Sequence, residues 1–398
     1  MDERIKIEYR LLKHRQRVNI IAAKARRLAQ DEAIINIRID KRRRRAGVEP
    51  NVSMEALVTA TLKHGLIPIV VPEFTGITVG GAFSDIALES SSFRYGHFEK
   101  CVTSVEVLLG NGNIVTASPI EKSDLFSSLS GACGTLGIWT IIETKLVPAR
   151  QFVEIKYFSV HSAAEALNAI KDYTATTSFV DFVDGIMFGP NGSAVIIGTM
   201  TDGKKSGMPV ARFSRAHDPW FALYVHESVP HVRNSDCKLC AFSKSRSSYK
   251  SSIITELVPI KDYLFRYDRA AFWTGMCGRN PNVLNGVIRF MLNPLMKAKS
   301  LYAGLYHSGQ GQSFFIQDIT LPEDTATRDL GGTKMLYATN YYTEEEFWRI
   351  HDKEAHDELR DKWGAAGLPS LWEKLGNPNP TYKEKSSRFK VVMKTLLK

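Results

Sequence analysis

Two stretches constrain the fold of this chain more than any others: Ile77 to Gly96, ITVGGAFSDIALESSSFRYG, and Gly131 to Gly137, GACGTLG. Paired glycines, a serine triplet, a Tyr-Gly step and glycines at 131, 134 and 137 put bare backbone where side chains ordinarily pack. Backbone of that kind lets main-chain amides approach a ligand with no Cβ in the way. A Rossmann nucleotide turn is excluded, because no G-x-G-x-x-G opens a helix after a strand and Gly131, Gly134 and Gly137 precede a strand pattern at another spacing. A P-loop is absent as well.

With 398 residues, 44% of them apolar and 24% charged, the sequence has the composition of a globular protein of two or three domains. Its longest apolar runs, Leu66 to Val71 and Gly137 to Ile142, have strand length and fall well short of a membrane span. The start, Met1-Asp2-Glu3-Arg4, carries no secretory h-region, which predicts a protein that is not secreted and sits in a reducing compartment. Five scattered cysteines fit free thiols there, and the lone Cys237-Lys238-Leu239-Cys240 lacks a second ligand pair, so no metal site is expected. A net charge of +10 is concentrated early, in Lys13 to Arg27 and again in Arg38 to Arg45. These bases read first as a solvated helix face and a charged turn. No interleaved aromatics or finger spacing accompany them, which argues against nucleic acid; as a partner, an anionic membrane surface fits better.

Along the chain, Ile5 to about Ala33 has helical periodicity, Ser53 stands at an N-cap before a helix reaching Leu62, and His64-Gly65 stops it. Leu66 to Val71 reads as a strand, with Pro68 pointing to an edge. Val102 to Leu109, then Gly110-Asn111-Gly112-Asn113, then Ile114 to Thr116, is a β-hairpin by turn chemistry. Ser123 is expected to cap a short helix, Ile138 to Val147 to form a strand, and Pro148 to close the unit. Ser162 with Glu165 predicts a capping box, Pro190-Asn191-Gly192 a second hairpin, and Thr343 with Glu346 another capped helix. Gly203 to Ser251 reads as a long surface excursion. The expected units are 1–46, a basic helix and a truncated first subdomain; 47–150, a glycine-bearing ligand domain; and 151–398, an α+β domain ending in helices.

VEPNVSM at Val48 to Met54, VPE at Val71 to Glu73, TVGG at Thr78 to Gly81, ALESSS at Ala87 to Ser92, YGHF at Tyr95 to Phe98, SDLF at Ser123 to Phe126 and CGTLG at Cys133 to Gly137 form one constellation. FVDG at Phe182 to Gly185, MTD at Met200 to Asp202, LYA at Leu336 to Ala338 and EEFW at Glu345 to Trp348 extend it over most of the sequence. It resembles the PCMH-type FAD-binding, or vanillyl-alcohol-oxidase, superfamily, and within it the delta(24)-sterol reductases. The resemblance implies an α+β fold: a PCMH-type FAD-binding domain with an incomplete first subdomain, followed by an α+β cap domain. It implies non-covalent FAD, NADPH as reductant, the C=C bond of a sterol side chain as substrate, and the cytoplasmic side of the endoplasmic reticulum membrane as location. It fixes no oligomeric state. A second reading keeps the superfamily and makes the protein an alcohol or sugar oxidase; a third makes it a non-catalytic remnant.

On that resemblance the cofactor-binding candidates are Leu62, Pro72, Glu73, Thr78, Val79, Gly80, Gly81, Ser91, Ser92, Tyr95, Gly96, Gly134, Thr135, Leu136, Gly137 and Ile138. The glycines would bring amides to a pyrophosphate, and Thr78, Ser91, Ser92 and Thr135 would add hydroxyl donors. Tyr337, Tyr341 and Glu89 are candidate proton donors, Glu89 on condition that burial raises its pKa; the alternative for Glu89 is a carboxylate that bonds nearby backbone. Phe272, Trp273, Phe315, Tyr341 and Trp348 are candidates for a sterol wall. Two departures from the family stand out: its Gly-rich pyrophosphate turn has no counterpart before Lys41, and a polar link from Pro322 to Lys334 replaces a pair of its strands.

Overall fold

The computed structural model describes residues 37–175, 179–189, 192–203, 207–229, 253–271, 296–298 and 343–376. Within them the alternating segments fold into two antiparallel sheets that share one hydrophobic core. The first holds β1 (Ile37–Asp40), β2 (Arg45–Val48), β3 (Leu66–Pro68), β4 (Val102–Leu108), β5 (Ile114–Ala117) and β6 (Ile138–Pro148). Their order is β1-β2-β6-β4-β5, and β3 also pairs with β6. The long β6 is the hub, since it bonds β2, β4 and β3 and buries Ile142, Thr144 and Leu146 on its inner side. β3 pairs with β6 alone and ends at Pro68, shorter than the expected strand. Pro68, lacking an N–H, closes the strand where a further ladder bond would need a donor.

Local chemistry sets the helices of this layer. Ser53 accepts from the Ala56 amide and starts α1 (Met54–Leu62), whose Met54, Leu57 and Val58 enter the core. Thr78 caps α2 (Val79–Ser84) in the same way, and the single turns α3 (Ser92–Tyr95) and α4 (Phe98–Cys101) lead into β4. At α5 (Ser123–Leu129) the expectation is corrected: Lys122, at φ 51°, occupies the cap position, and Ser123 is the first helical residue.

The second sheet comprises β7 (Phe152–Val160), β8 (Phe182–Gly189), β9 (Gly192–Thr201) and β10 (Ile253–Pro259), in the order β10-β7-β9-β8. α6 (Ala163–Thr174) covers one face through Ala166, Ala169 and Ile170. Ser162 accepts from the Glu165 amide, but the Glu165 carboxylate reaches the His161 amide rather than that of Ser162, so the box is displaced by one residue. Part of the expected surface excursion is instead core: Phe213 and α7 (Phe221–Ser228) pack edge-to-face and bury Phe221 and Val225. α8 (Ile260–Leu264) continues β10 back toward the first layer.

α9 (Glu344–Ile350), opened by a full Thr343–Glu346 capping box, α10 (Lys353–Lys362) and α11 (Leu371–Leu375) complete the described residues. They dock on the first sheet's unit, since Lys362 and Trp363 donate to Asp124 at 2.7 and 3.1 Å. The break at residue 46 falls inside the β1–β2 hairpin, and the helices after 343 join the front layer by contact. The helix expected over Ile5 to Ala33, Cys237, Cys240 and the Pro322–Lys334 link lie outside the described residues.

Candidate functional site

The Glu89–Ser92 turn lies between the two layers. Ser92 Oγ accepts from the Glu89 amide at 3.0 Å, and the Ser90 carbonyl accepts from Val183 of β8 at 2.9 Å, tying the turn to the second sheet. Glu89 is buried, with Ser90 Oγ donating to its Oε2 at 2.8 Å. Ser91 Oγ lies between Glu89 Oε1 and the Ile69 carbonyl, the latter at 2.8 Å. One hydroxyl hydrogen cannot serve both acceptors. The arrangement closes if Glu89 is protonated, donating to Ser91 Oγ while Ser91 donates to Ile69. Burial raises the Glu89 pKa, against the Ser91 and Ser90 hydroxyls and Arg266, which lower it.

Arg266, 1% exposed, is the cation of this region. Its Nη2 donates to Asp184 Oδ2 at 2.9 Å and to Ser90 Oγ at 3.3 Å, and its Nη1 to the Tyr263 carbonyl at 3.0 Å. The guanidinium stacks on Tyr263 and Tyr267, 4.2 and 4.7 Å from their ring centroids, and Tyr267 donates to Asp184 at 2.6 Å. Its Nε is buried with no hydrogen-bond partner among the described residues. Glu73 adds a third carboxyl to the cluster; loss of solvation pushes it up to about 8, with Arg266 opposing and Glu89 and Asp184 reinforcing. Sequence reasoning does not find Arg266, Asp184 and Tyr263 as a group, even with FVDG in view, because nothing in spacing pairs residue 184 with residue 266.

The glycine segments behave differently from expectation. The Gly80 amide donates to the Pro50 carbonyl at 2.8 Å, Val79 to Val52 at 2.9 Å, and Gly81 to Thr78 Oγ1 at 3.0 Å. A Cβ on Gly80 would lie 2.7 Å from Pro50 Cβ. The Val79, Gly80 and Gly81 amides are thus engaged within the protein, the Thr78 hydroxyl accepts from one of them, and Gly80 is bare for packing. Gly137, whose Cβ would lie 2.6 Å from Val107 Cγ1, has a packing reason too. Thr135 donates to the Ala132 carbonyl at 2.8 Å, and Gly96, at φ 76°, ends α3. Pro72 and Leu136 are buried, Leu62 and Tyr95 half-buried, and Ile138 exposed.

The two segments nevertheless meet. Gly131 donates to the Ser84 carbonyl at 2.9 Å, joining the end of α2 to the CGTLG turn. Beside that joint lies a cavity of about 350 Å³ lined by Ile86, Cys133, Leu136, Trp348, His356 and Leu359, among others. Ile86, a β-branched residue at φ 53°, is held in the left-handed region at its edge. Tyr337, Tyr341, Phe272, Trp273 and Phe315 lie outside the described residues; Trp348 stands on α9 at this cavity. Burial pushes Cys101 up to about 12 and raises Cys133, so neither thiol is a ready nucleophile. Among the described residues no group of side chains could hold a metal ion.

A flavin dinucleotide fits this donor set unevenly. At the ring end the residue types fit: a buried guanidinium N–H without an acceptor among the described residues, together with aromatic faces, suits a planar heterocycle that takes on negative charge when reduced. At the phosphate end the TVGG amides are already engaged, which leaves the Cys133–Gly137 turn as the candidate contact.

Comparison with known proteins bears on the front layer. A family model described as FAD binding domain matches residues 31–118. The human delta(24)-sterol reductase is 23% identical over 415 residues, covering 85% of this chain and 75% of that protein. The Arabidopsis thaliana delta(24)-sterol reductase is 28% identical over 250 residues, 60% of this chain and 41% of that protein. Cytokinin dehydrogenase 10 of Oryza sativa is 31% identical over 175 residues, 43% of this chain and 30% of that protein.

Proposed function

We propose that this protein, a relative of the delta(24)-sterol reductases in the PCMH-type FAD-binding superfamily, is an FAD-dependent oxidoreductase that reduces the C=C bond of a sterol side chain with NADPH as electron donor. The observation that carries the reading is the buried Glu89–Ser91 turn locked to Arg266 and Asp184, within a sequence related to sterol reductases over most of its length. FAD, when bound, supplies the hydride chemistry that amino-acid side groups lack. What the protein contributes is binding, orientation and a proton.

Arg266 would hold the ring end with its Nε–H, beside the rings of Tyr263 and Tyr267. Glu89, whose pKa burial raises, is the candidate acid for the alkene carbon that receives a proton, and Glu73, pushed up to about 8, is a second carboxyl near it. Tyr337 and Tyr341 stand as alternative donors on the strength of the resemblance. Neutral acids suit a step that would otherwise leave charge on carbon in a dry site. The cytoplasmic side of the endoplasmic reticulum membrane is the location proposed with this activity.

The test is turnover. Full-length protein reconstituted with FAD is given NADPH and a sterol with an unsaturated side chain, and the product is read by mass. Gain of two hydrogens with oxidation of NADPH supports the proposal. Bleaching of the yellow protein by an alcohol, with reoxidation by oxygen, would replace it with the oxidase reading, and colourless protein unaffected by FAD with the remnant reading.

A further inference from the structure

The turn between β1 and β2 is Lys41-Arg42-Arg43-Arg44, and all four side chains are exposed. Asp40 accepts from the Arg43 amide at 2.9 Å, but its ion pair with the Arg43 side chain is loose, at 3.8 Å with the arginine 76% exposed. A flat aqueous protein surface has no use for four adjacent cations, which repel one another across a two-strand tip. The turn is held rigidly, because the Arg44 carbonyl accepts from the Leu146 amide at 2.8 Å and β2 is laddered to β6.

From this tip the chain runs through Arg45 into a groove beside β6. Arg45, Lys145 and Lys100 line a groove of about 670 Å³ with Glu143 and Glu99, where Arg45 pairs with Glu143 at 2.8 Å and Lys100 with Glu99 at 3.9 Å. The far rim of the same groove is Pro119-Ile120, and Ile120 is 97% exposed, more than any other large apolar residue described. A rigid cationic tip that leads into the groove through Arg45, with a protruding aliphatic side chain on the same groove's lining, suits a surface that is anionic outside and apolar just beneath. Nucleic acid would use the cations but gains nothing from an isolated isoleucine, and the patch offers no exposed aromatic ring, among the described residues, on which to stack a base.

We propose that the Lys41–Arg44 turn and Ile120 form a docking surface for an anionic lipid bilayer, the bases contacting headgroups and Ile120 entering the acyl boundary. The inference stands on this surface alone and does not depend on the flavin reading. Among the described residues no helix is long and apolar enough to cross a membrane, so the contact is peripheral as far as they reach.

The experiment is vesicle co-sedimentation of the full-length protein with phosphatidylserine/phosphatidylcholine vesicles, and with phosphatidylcholine alone. Wild type is expected to bind the mixed vesicles, to release with added salt, and to leave neutral vesicles unbound. The triple variant Lys41→Glu, Arg42→Glu, Arg43→Glu should lower partitioning on the order of a hundredfold or more, at about 1 kcal/mol per lost base. Ile120→Ser should lower it roughly tenfold while leaving salt dependence intact. Both sites are exposed, and unchanged melting temperatures and FAD content in the variants will separate lost docking from lost folding or flavin binding. Equal binding by the triple variant, or equal binding to neutral vesicles, overturns the proposal. So does a result in which the triple variant loses affinity for RNA but keeps it for the mixed vesicles.

Discussion

Replacing Glu73 by Gln should make this protein more stable at neutral pH, and the gain should vanish in acid. Glu73 is half-buried as a residue, but its carboxyl end is shut away from water, and that desolvation pushes it up to about 8 in the folded protein against 4.5 for the free group. An acid whose folded pKa is raised contributes stability that is complete below its unfolded pKa and lost as pH climbs toward the folded value. The window is therefore about pH 4.5 to 8. Each pH unit inside it costs about 1.4 kcal/mol, so wild type should lose about 3 kcal/mol from this group between about pH 5.5 and about pH 7.5. Gln keeps the shape and carries no proton to lose. Urea unfolding of both proteins across that range, at matched flavin content, reads the difference directly. The variant's advantage should open steadily with pH. Parallel stability profiles, or a variant equally destabilised at every pH, would refute the argument that Glu73 is folded as a neutral acid.

Other outcomes follow from the same geometry. Arg266→Met should cost about 3–5 kcal/mol, because Asp184 loses its charged partner in a mostly buried site, and adding Asp184→Asn should recover part of that loss, as urea unfolding of the three proteins will show. Gly80→Ala should destabilise flavin-free protein by about 1–3 kcal/mol, since the new methyl meets Pro50; unchanged stability would return Gly80 to a pure ligand role.

Local chemistry is readable in the letters wherever a single turn decides the outcome. Ser53 caps α1, Thr343 with Glu346 opens α9, and Gly112, at φ 89°, turns the β4–β5 hairpin as its Asn-Gly chemistry requires. What escapes are effects set by residues far apart in sequence. Phe213 and Phe221 lie in a stretch whose prolines and polar residues signal a loop, yet their rings close the core against Tyr157 and Tyr267.

The candidate site divides along the same line. Glu89 is legible as an acid that needs burial, but the reason it is buried comes from Arg266, Tyr263 and β8. TVGG reads as ligand backbone, because bare glycine pairs have two uses that look alike in sequence: approach by a ligand and approach by another segment. Pro50, three residues before the α1 cap, decides for the second at Gly80.

The central claim is that the front layer, even without a Gly-rich pyrophosphate turn before Lys41, binds FAD. Titration of the purified full-length protein with FAD, following the melting temperature and flavin fluorescence together, tests it most directly. The account predicts a Tm that rises with FAD concentration and flavin emission that saturates at one equivalent, both weakened by Arg266→Lys. A melting temperature indifferent to FAD, with emission identical to free flavin, would contradict it.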